Sequence, residues 1–235
     1  MPDAEVGKKI ERLVLGVDTC GPAGSVALGR LTAEGLALLG QVELAGRSYS
    51  ATLVVAVAEL LAKAQTRLDR LHAIVVVHGP GSFTGVRVGL SAVKGLAEPA
   101  GIPVVAVSRL AVLAHKAGTQ SAALDAHRHE VFLRIAGEGI KTREILAGAA
   151  ELAGMVERPD TIATCDESAV GLLGGLWPGV PQPRVEPPTA ADAIEWARPQ
   201  IEAKDFADLA LLDGHYLRRS DAEIFGEVAA SAQRA

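Results

Sequence analysis

Hydrophobic and polar positions follow two different periods in the first part of the chain. Apolar runs of strand length occupy 12–19, 24–31 and 35–44 and are separated only by short turns. Runs of this kind predict an antiparallel meander. From 50 to 64 the apolar residues recur instead at helical spacing, which predicts that a helix follows the three strands.

A second set of elements completes this first unit. The continuous apolar run at 72–77 is typical of a central strand buried on both faces. A glycine-rich loop follows, then a predicted helix from about Thr84 to Pro99 and a strand at 102–107. The order β-β-β-α-β-α-β is similar to that of an actin, Hsp70 or sugar-kinase lobe, so we predict a first actin-like lobe over 11–108.

The residues after Ser108 repeat this element order in weaker form. The predicted helices lie at 108–117, 147–155 and 189–203, and the predicted strands at 121–126, 129–136 and 161–165. The Pro-rich stretch 178–188 reads as a loop. We predict a second, degenerate actin-like lobe with a C-terminal segment over 109–225. The fold class is therefore α/β, with two actin/Hsp70-like (ASKHA, ribonuclease H-like) lobes built on mixed sheets.

Composition narrows the functional classes. Hydrophobic residues make up 49% and charged residues 22%, and the net charge is −5. A protein that binds nucleic acid through its phosphates usually carries a basic excess, which this chain lacks. If RNA is the substrate of its pathway, another subunit is expected to supply most of the contacts with the RNA. The first residues lack the apolar stretch of a signal peptide, and no apolar run is long enough to cross a bilayer. We expect a cytoplasmic protein without membrane contact.

The segment 79–89, GPGSFTGVRVG, fits none of the phosphate-binding or nucleophile motifs that it resembles at first sight. It lacks the Lys of a P-loop, the spacing of a dinucleotide fingerprint and the pattern of a nucleophile elbow. Gly81, Gly85 and Gly89 are instead spaced four apart, and glycine inside a helix indicates close approach by another backbone. Three interpretations remain open: contact with a partner chain, tight packing within the same lobe, and an anion cradle.

Several runs together carry a family resemblance. The run GPGSFTGVRVGLSAVKGLAEPAGIPVVAVSRLAVLA resembles the signature region of the TsaB (YeaZ) family, and its first part is the most specific. LVLGVDTCGPAGSVALG resembles the opening strand pair of that family, and LDAHRHEVFL its second-lobe strand pair. PPTAADAIEWA and DGHYLRR resemble its C-terminal pattern, so the resemblance spans nearly the whole chain.

The resemblance implies a function without independent catalysis and without a cofactor. Proteins of this family are required for threonylcarbamoyladenosine formation at position 37 of tRNAs, where they bind and activate the transferase subunit TsaD. The resemblance also implies that the ATPase TsaE joins the pair, that the isolated chain forms a homodimer through the same first-lobe helices, and that tRNA is contacted only indirectly.

One motif separates this chain from the transferase itself. TsaD binds its metal through an HxxxH helix motif, in which two imidazoles one turn apart coordinate the metal ion. In the corresponding run, SRLAVLAH, only His115 is present and position 111 is Ala. We therefore predict no metal site and no catalytic residues here.

The predicted partner surface lies on the two first-lobe helices, whose apolar residues exceed what one buried stripe requires. The residues assigned to this surface are Leu53, Val57, Leu60, Leu61, Gly85, Val86, Gly89, Leu90 and Val93.

A nucleotide site is the main alternative. Asp18 ends the first strand, where ATP-hydrolysing relatives hold Mg²⁺, and with Gly81 and Ser82 it forms a possible vestigial nucleotide site. The alternative function is a divergent actin-like ATPase or kinase that uses Asp18. The competing interpretation is an aspartate that caps its own turn, and the run GLLGG at 171–175 is only a weak match to an adenosine site.

Asp125, His127 and His129 are the local candidates for metal ligands. On a strand, their side chains would point to one face, where a carboxylate and two imidazoles suit Zn²⁺. The competing interpretation, which we favour, is a solvated strand edge with a short turn.

Overall fold

The computed structural model describes residues 11–45 and 48–218, and all structural statements below concern these residues. The elements of the first lobe follow in the predicted order. They are β1 (Arg12–Asp18), β2 (Ala23–Thr32), β3 (Gly35–Ala45), α1 (Tyr49–Lys63), β4 (Ala73–Val77), α2 (Phe83–Ala100) and β5 (Val104–Val107).

The first sheet has the strand order β3-β2-β1-β4-β5. The meander is antiparallel, with Leu15 opposite Leu28 between β1 and β2, whereas β4 and β5 run parallel to β1. All five residues of β4 are buried, as expected for the continuous apolar run from which this strand was predicted. The predicted mixed sheet is confirmed.

The second lobe contains a shorter sheet of the same design, in the order β8-β7-β6-β9. Its elements are α3 (Arg109–Lys116), β6 (Ser121–Asp125), β7 (Glu130–Gly137), β8 (Ile140–Gly148), α4 (Ala149–Gly154), β9 (Ile162–Thr164) and α5 (Glu167–Leu176). Strands β6, β7 and β8 form an antiparallel meander, and β9 pairs parallel to β6.

Sequence reasoning missed two elements of this lobe. Strand β8 is a half-exposed edge strand with charged residues such as Lys141 and Arg143, so it presents no apolar run. Helix α5 contains the GLLGG run that was weighed as an adenosine site. Added Cβ atoms at Gly171 and Gly175 would meet nothing within 4 Å, so these glycines lie on an open helix surface and not in a loop at a strand end.

Helix α6 (Ala190–Ala203) packs against the first sheet although it follows the second lobe in the sequence and is the last helix of the described residues. A Cβ added to Gly16 of β1 would lie 2.9 Å from the side chain of Ile194, so the helix rests almost on the strand backbone. The predicted boundary after residue 108 separates the two sheets but placed this helix with the second lobe. Its apolar face belongs to the core of the first lobe.

The C-terminal segment (204–218) follows α6 without further helix or strand and runs back across the first lobe. The amide of Ala207 donates to the carbonyl of Val104, and the amide of His215 donates to the carbonyl of His78 at 2.7 Å. The predicted extension of this lobe to residue 225 lies outside the described residues. Within them, no helix combines the length and apolar character needed to cross a membrane.

Candidate functional site

The loop before α2 packs on the turn that follows β1. Ser82 caps the helix by accepting a hydrogen bond from the amide of Gly85 at 3.3 Å, and its own amide donates to the carbonyl of Cys20 at 2.8 Å. Added Cβ atoms at Gly81, Gly85 and Gly89 would all fall within 3.0 Å of atoms of Thr19 or Cys20. Of the three interpretations left open, tight packing within the same lobe accounts for this spacing.

Asp18 lies directly beneath this contact and is fully paired. Its side chain is 1% exposed, and Oδ1 accepts a hydrogen bond from the amide of Cys20 at 2.8 Å. Its Oδ2 lies 3.4 Å from Nε of Arg109, the first residue of α3. Burial alone would lower the pKa of Arg109, but the nearby carboxylate of Asp18 outweighs this effect, and the pKa of Arg109 is raised. The turn-capping interpretation of Asp18 therefore holds.

Cys20 is a buried packing residue. Its Sγ lies 3.1 Å from the carbonyl of Val77. Burial, reinforced by the nearby carboxylate of Asp18, raises the pKa of the thiol well above its usual value. A thiol with a raised pKa is a poor nucleophile because it stays protonated at neutral pH.

The residues assigned to the partner surface are all buried in the first lobe, which corrects that assignment at the level of side chains. They face the lobe interior because each helix turns its larger apolar residues toward the sheet and the adjacent helix. The buried residues are Leu53, Val57, Leu60, Leu61, Gly85, Val86, Gly89, Leu90 and Val93.

The outward face of α1 is nevertheless apolar. Val54 and Val55 are 50% and 55% exposed. Ala51, Ala58 and Ala62 are also exposed and continue the row of Val55 at spacings of three and four residues. Helix α1 is thus apolar on two sides, and only one of them is covered by the lobe.

The segment with the metal candidates contains the short turn of the interpretation that we favoured. Residues 127–129 form a turn between β6 and β7 in which all three residues have positive φ, so His127 and His129 do not share a strand face with Asp125. The imidazole of His127 lies 3.2 Å from Oδ2 of Asp125 in a local pair. Within the described part of the chain, no group of three His, Cys, Asp or Glu side chains is arranged to hold a metal ion.

A polar cluster that sequence reasoning missed joins the two lobes. Glu144 of β8 accepts hydrogen bonds from the hydroxyl of Ser108 at 2.7 Å and from Arg134 at 2.9 Å, and it lies 2.8 Å from Nε2 of His215. The ring of His215 stacks on that of His78 with centroids 5.5 Å apart. Burial lowers the pKa of His78 because the charged imidazole loses hydration there.

A second missed cluster is exposed at the start of α2. The guanidinium of Arg87 lies 3.7 Å from the ring centroid of Phe83, and its Nε donates to the hydroxyl of Tyr216 at 3.4 Å. The rings of Phe83 and Tyr216 are 5.2 Å apart and tilted. Nothing in the local sequence pattern pairs these residues, because Tyr216 lies 129 residues from Arg87.

Comparison with known proteins finds a matching family model and similar curated proteins. Residues 41–151 match the family model described as TsaD, tRNA N6-adenosine threonylcarbamoyltransferase. The curated protein named tRNA threonylcarbamoyladenosine biosynthesis protein TsaB is 34% identical in Escherichia coli over 128 residues, which span 51% of this chain and 52% of that protein. The chain thus matches about half the length of that relative.

Other matches extend over most of the chain. An uncharacterized protein of Mycobacterium tuberculosis is 32% identical over 212 residues, which span 89% of this chain and 93% of that protein. A solved structure of YeaZ from Pseudomonas aeruginosa superposes with a TM-score of 0.68 at 26% identity, and the match covers 88% of this chain and 100% of that one. A second Pseudomonas aeruginosa structure, described as similar to the peptidase YeaZ, gives 0.71 at 27% identity with the same coverage.

A more distant neighbour agrees in fold alone. Component A of (R)-2-hydroxyglutaryl-CoA dehydratase from Acidaminococcus fermentans gives a TM-score of 0.51 at 10% identity, with 83% of this chain and 99% of that one covered. The two mixed sheets, the packed GPGSFTG loop and the matches to TsaB and YeaZ proteins agree, and the chain belongs to the TsaB (YeaZ) family.

Proposed function

We propose that this chain is a non-catalytic subunit in the formation of threonylcarbamoyladenosine on tRNA, where it binds and activates a transferase of the TsaD family. Support for the pathway comes from relatives named as TsaB biosynthesis proteins in Haemophilus influenzae, Escherichia coli and Bacillus subtilis. Support for the partner comes from the surface of the first lobe.

The observation that carries the proposal is the uncovered apolar face of α1. Two valines, Val54 and Val55, are each about half exposed although the core beneath them is already filled by Leu53 and Val57. Contiguous apolar surface of this kind marks an interaction site in a water-soluble protein. The charged residues of the helix, Glu59 and Lys63, are also exposed and are consistent with the polar rim of an interface.

Helix α2 continues this face with small residues. Ser91 and Gly95 are exposed one turn apart, and an added Cβ at Gly95 would meet nothing within 4 Å. A second helix can therefore approach the backbone of α2 closely. Because the TsaD family model matches 41–151, which includes α1 and α2, a transferase of that family is expected to carry counterpart helices, and two similar lobes can pair about a pseudo-twofold axis.

Two contacts support a role without catalysis. The carboxylate of Asp18 is neutralised by Arg109 inside the protein, which disfavours the alternative of an ATPase or kinase that uses Asp18 to hold Mg²⁺. In α3, where the transferase motif would need two histidines, Ala111 is buried and the ring of His115 packs 5.2 Å from that of Trp196.

The test replaces one exposed valine and compares it with a matched control. In Val55→Asp a charge is placed on the proposed interface, and we expect the dissociation constant for the TsaD-family protein of the same organism to rise about a hundredfold, since an unpaired buried charge costs about 3 kcal/mol. Val156→Asp is the control, because Val156 is 96% exposed on the second lobe. Light scattering after size-exclusion chromatography measures the complex.

Normal complex formation by Val55→Asp would overturn the proposed interface, and so would equal weakening by Val156→Asp. The same variants are then assayed for stimulation of threonylcarbamoyl transfer to tRNA, which we expect to fall with complex formation. Val57→Asp is unsuitable for this purpose because Val57 is buried, so that variant would unfold the lobe.

Three further predictions concern the assembly. The apolar face of α1 and α2 would pair two copies of this chain when the transferase is absent, and Val55→Asp should then leave a monomer. The ATPase TsaE is expected to join the pair as a third component. The transferase is expected to supply most of the grip on tRNA, since this chain carries a net charge of −5.

A further inference from the structure

Three elements that are distant in sequence meet at one exposed surface. Helix α2 begins there with Phe83 and Arg87, and the C-terminal segment places Tyr216 beside them. Two residues further on, Arg218 forms an ion pair with Glu130, the first residue of β7. We refer to Phe83, Arg87, Tyr216 and Arg218 as the aromatic–basic patch.

The two rings and the guanidinium of Arg87 are available to a ligand, whereas Arg218 is already paired with Glu130. Phe83 is 40% exposed and Tyr216 is 37% exposed, although burying large aromatic rings is strongly favourable. Within the described residues, Arg87 forms no ion pair, and its hydrogen bond and cation–π contacts are made with Phe83 and Tyr216. These contacts hold the guanidinium of Arg87 against the rings, and no carboxylate of the described residues balances its charge.

We propose that the aromatic–basic patch binds unpaired nucleotides in a loop of RNA, and this proposal rests on the proposed function in tRNA modification. Unpaired bases stack on aromatic side chains and on guanidinium planes, and arginines neutralise the adjoining phosphates. An RNA loop offers both groups within a few ångströms, which matches the spacing of Phe83, Arg87 and Tyr216.

Other occupants fit the patch less well. An apolar partner helix would bury the guanidinium of Arg87 without a counter-ion, which is costly. A regular RNA duplex would present phosphates but no exposed base faces to Phe83 and Tyr216. An acidic peptide would satisfy the arginines and leave the rings exposed.

The position of the patch fits the proposed complex. Phe83 and Arg87 lie on the exposed side of α2 that continues to Ser91 and Gly95, the positions assigned above to the transferase. An RNA held by the transferase would thus pass the first turn of α2. A direct contact through the patch would replace the sequence-based prediction that tRNA is contacted only indirectly.

The experiment measures the binding of a fluorescent RNA hairpin that carries the anticodon loop, by anisotropy at low ionic strength. The full chain is used alone and in complex with the TsaD-family protein. We expect Arg87→Glu, Phe83→Ala and Tyr216→Ala each to raise the dissociation constant about tenfold or more. Arg67→Glu is the matched control for charge, because Arg67 is exposed just before the short 3-10 helix Leu68–Arg70 and is not a patch residue, and it should change the constant less than about twofold.

Unchanged affinity in all three patch variants would overturn the proposal, as would an equal loss in Arg67→Glu. Equal affinity for a fully paired RNA of the same length would also overturn it, because stacking requires unpaired bases. The same variants are tested for binding to the TsaD-family protein. Loss of that complex in Arg87→Glu would identify the patch as a protein contact and reject the RNA assignment.

Failure of the proposed function gives a different result. If the unmodified chain forms no complex with the transferase, the proposed function fails. The affinity of the free chain for the RNA hairpin still decides whether the patch binds RNA. Each variant should unfold at the same temperature as the unmodified chain, as expected for exposed positions. If Tyr216→Ala is unstable, the affinities of Phe83→Ala and Arg87→Glu alone decide whether the patch binds RNA.

Discussion

The packing of the GPGSFTG segment can be tested by replacing two glycines of α2, Gly85 and Gly95, with alanine. The two variants are expected to change the free energy of unfolding in opposite directions. A Cβ added to Gly85 would meet the carbonyl oxygen of Thr19 well inside 3.0 Å, whereas a Cβ at Gly95 would meet nothing within 4 Å. The hydroxyl of Thr19 also donates to the carbonyl of Gly85 at 2.7 Å, so the helix and the turn are joined on both sides of this contact.

The magnitudes follow from these distances. Overpacking costs about 1–3 kcal/mol, and the upper end applies to Gly85→Ala because the obstructing atom belongs to the backbone and cannot rotate away. Alanine returns about 1 kcal/mol through its helix propensity, which leaves a net loss of about 2 kcal/mol. Gly95→Ala gains about 1 kcal/mol from helix propensity and meets no obstruction, so the free energies of unfolding of the two variants should differ by about 3 kcal/mol.

The assay is thermal unfolding of the free chain followed by circular dichroism, with denaturant midpoints as a second measure. For a chain of this size, about 3 kcal/mol corresponds to a separation of about 6–12 °C between the two melting temperatures, with the unmodified chain between them. A Gly85→Ala variant at least as stable as the unmodified chain would refute the packing interpretation, and so would a Gly95→Ala variant that is destabilised.

Two further predictions concern buried charge. Asp18→Ala leaves Arg109 buried without its partner and should lower the free energy of unfolding by about 3–5 kcal/mol. The double variant Asp18→Leu with Arg109→Met removes both charges and should therefore lose less stability than Asp18→Ala. Unchanged stability of Asp18→Ala would contradict the ion pair. The second prediction concerns His78, whose pKa burial lowers below the usual 6.5. As the pH falls below 6.5, the imidazole of His78 takes up a proton in the unfolded chain before it does so in the folded chain. Stability should therefore be highest above pH 6.5 and decline below it, and melting curves of His78→Gln should show a weaker decline; an equal decline in both proteins would exclude His78 as its source.

The strand and helix pattern of the first lobe was predictable because each element carries its own period. The apolar run of β4 and the helical spacing in α1 are local signals, and both elements lie within two residues of the prediction. Strand β8 was missed because it is an edge strand, where only one side of the chain needs to be apolar and Lys141 and Arg143 interrupt even that.

The candidate site was predictable only in part. The spacing of Gly81, Gly85 and Gly89 correctly indicated a close approach, but the sequence offered three candidates for the approaching group. The structure selects the turn at Thr19 and Cys20. The ion pair between Asp18 and Arg109 spans 91 residues, and no local pattern relates the two positions.

Helix α1 illustrates most directly how the sequence and the tertiary structure divide the information. Its sequence determined that a helix forms and that more than one of its sides is apolar, because hydrophobic spacing depends only on the chain. The choice of Leu53 and Val57 for the core, and of Val54 and Val55 for the surface, depends on where the sheet and α2 lie. Periodicity cannot rank two apolar faces of one helix, whereas packing against a sheet buries one of them and leaves the other for a partner.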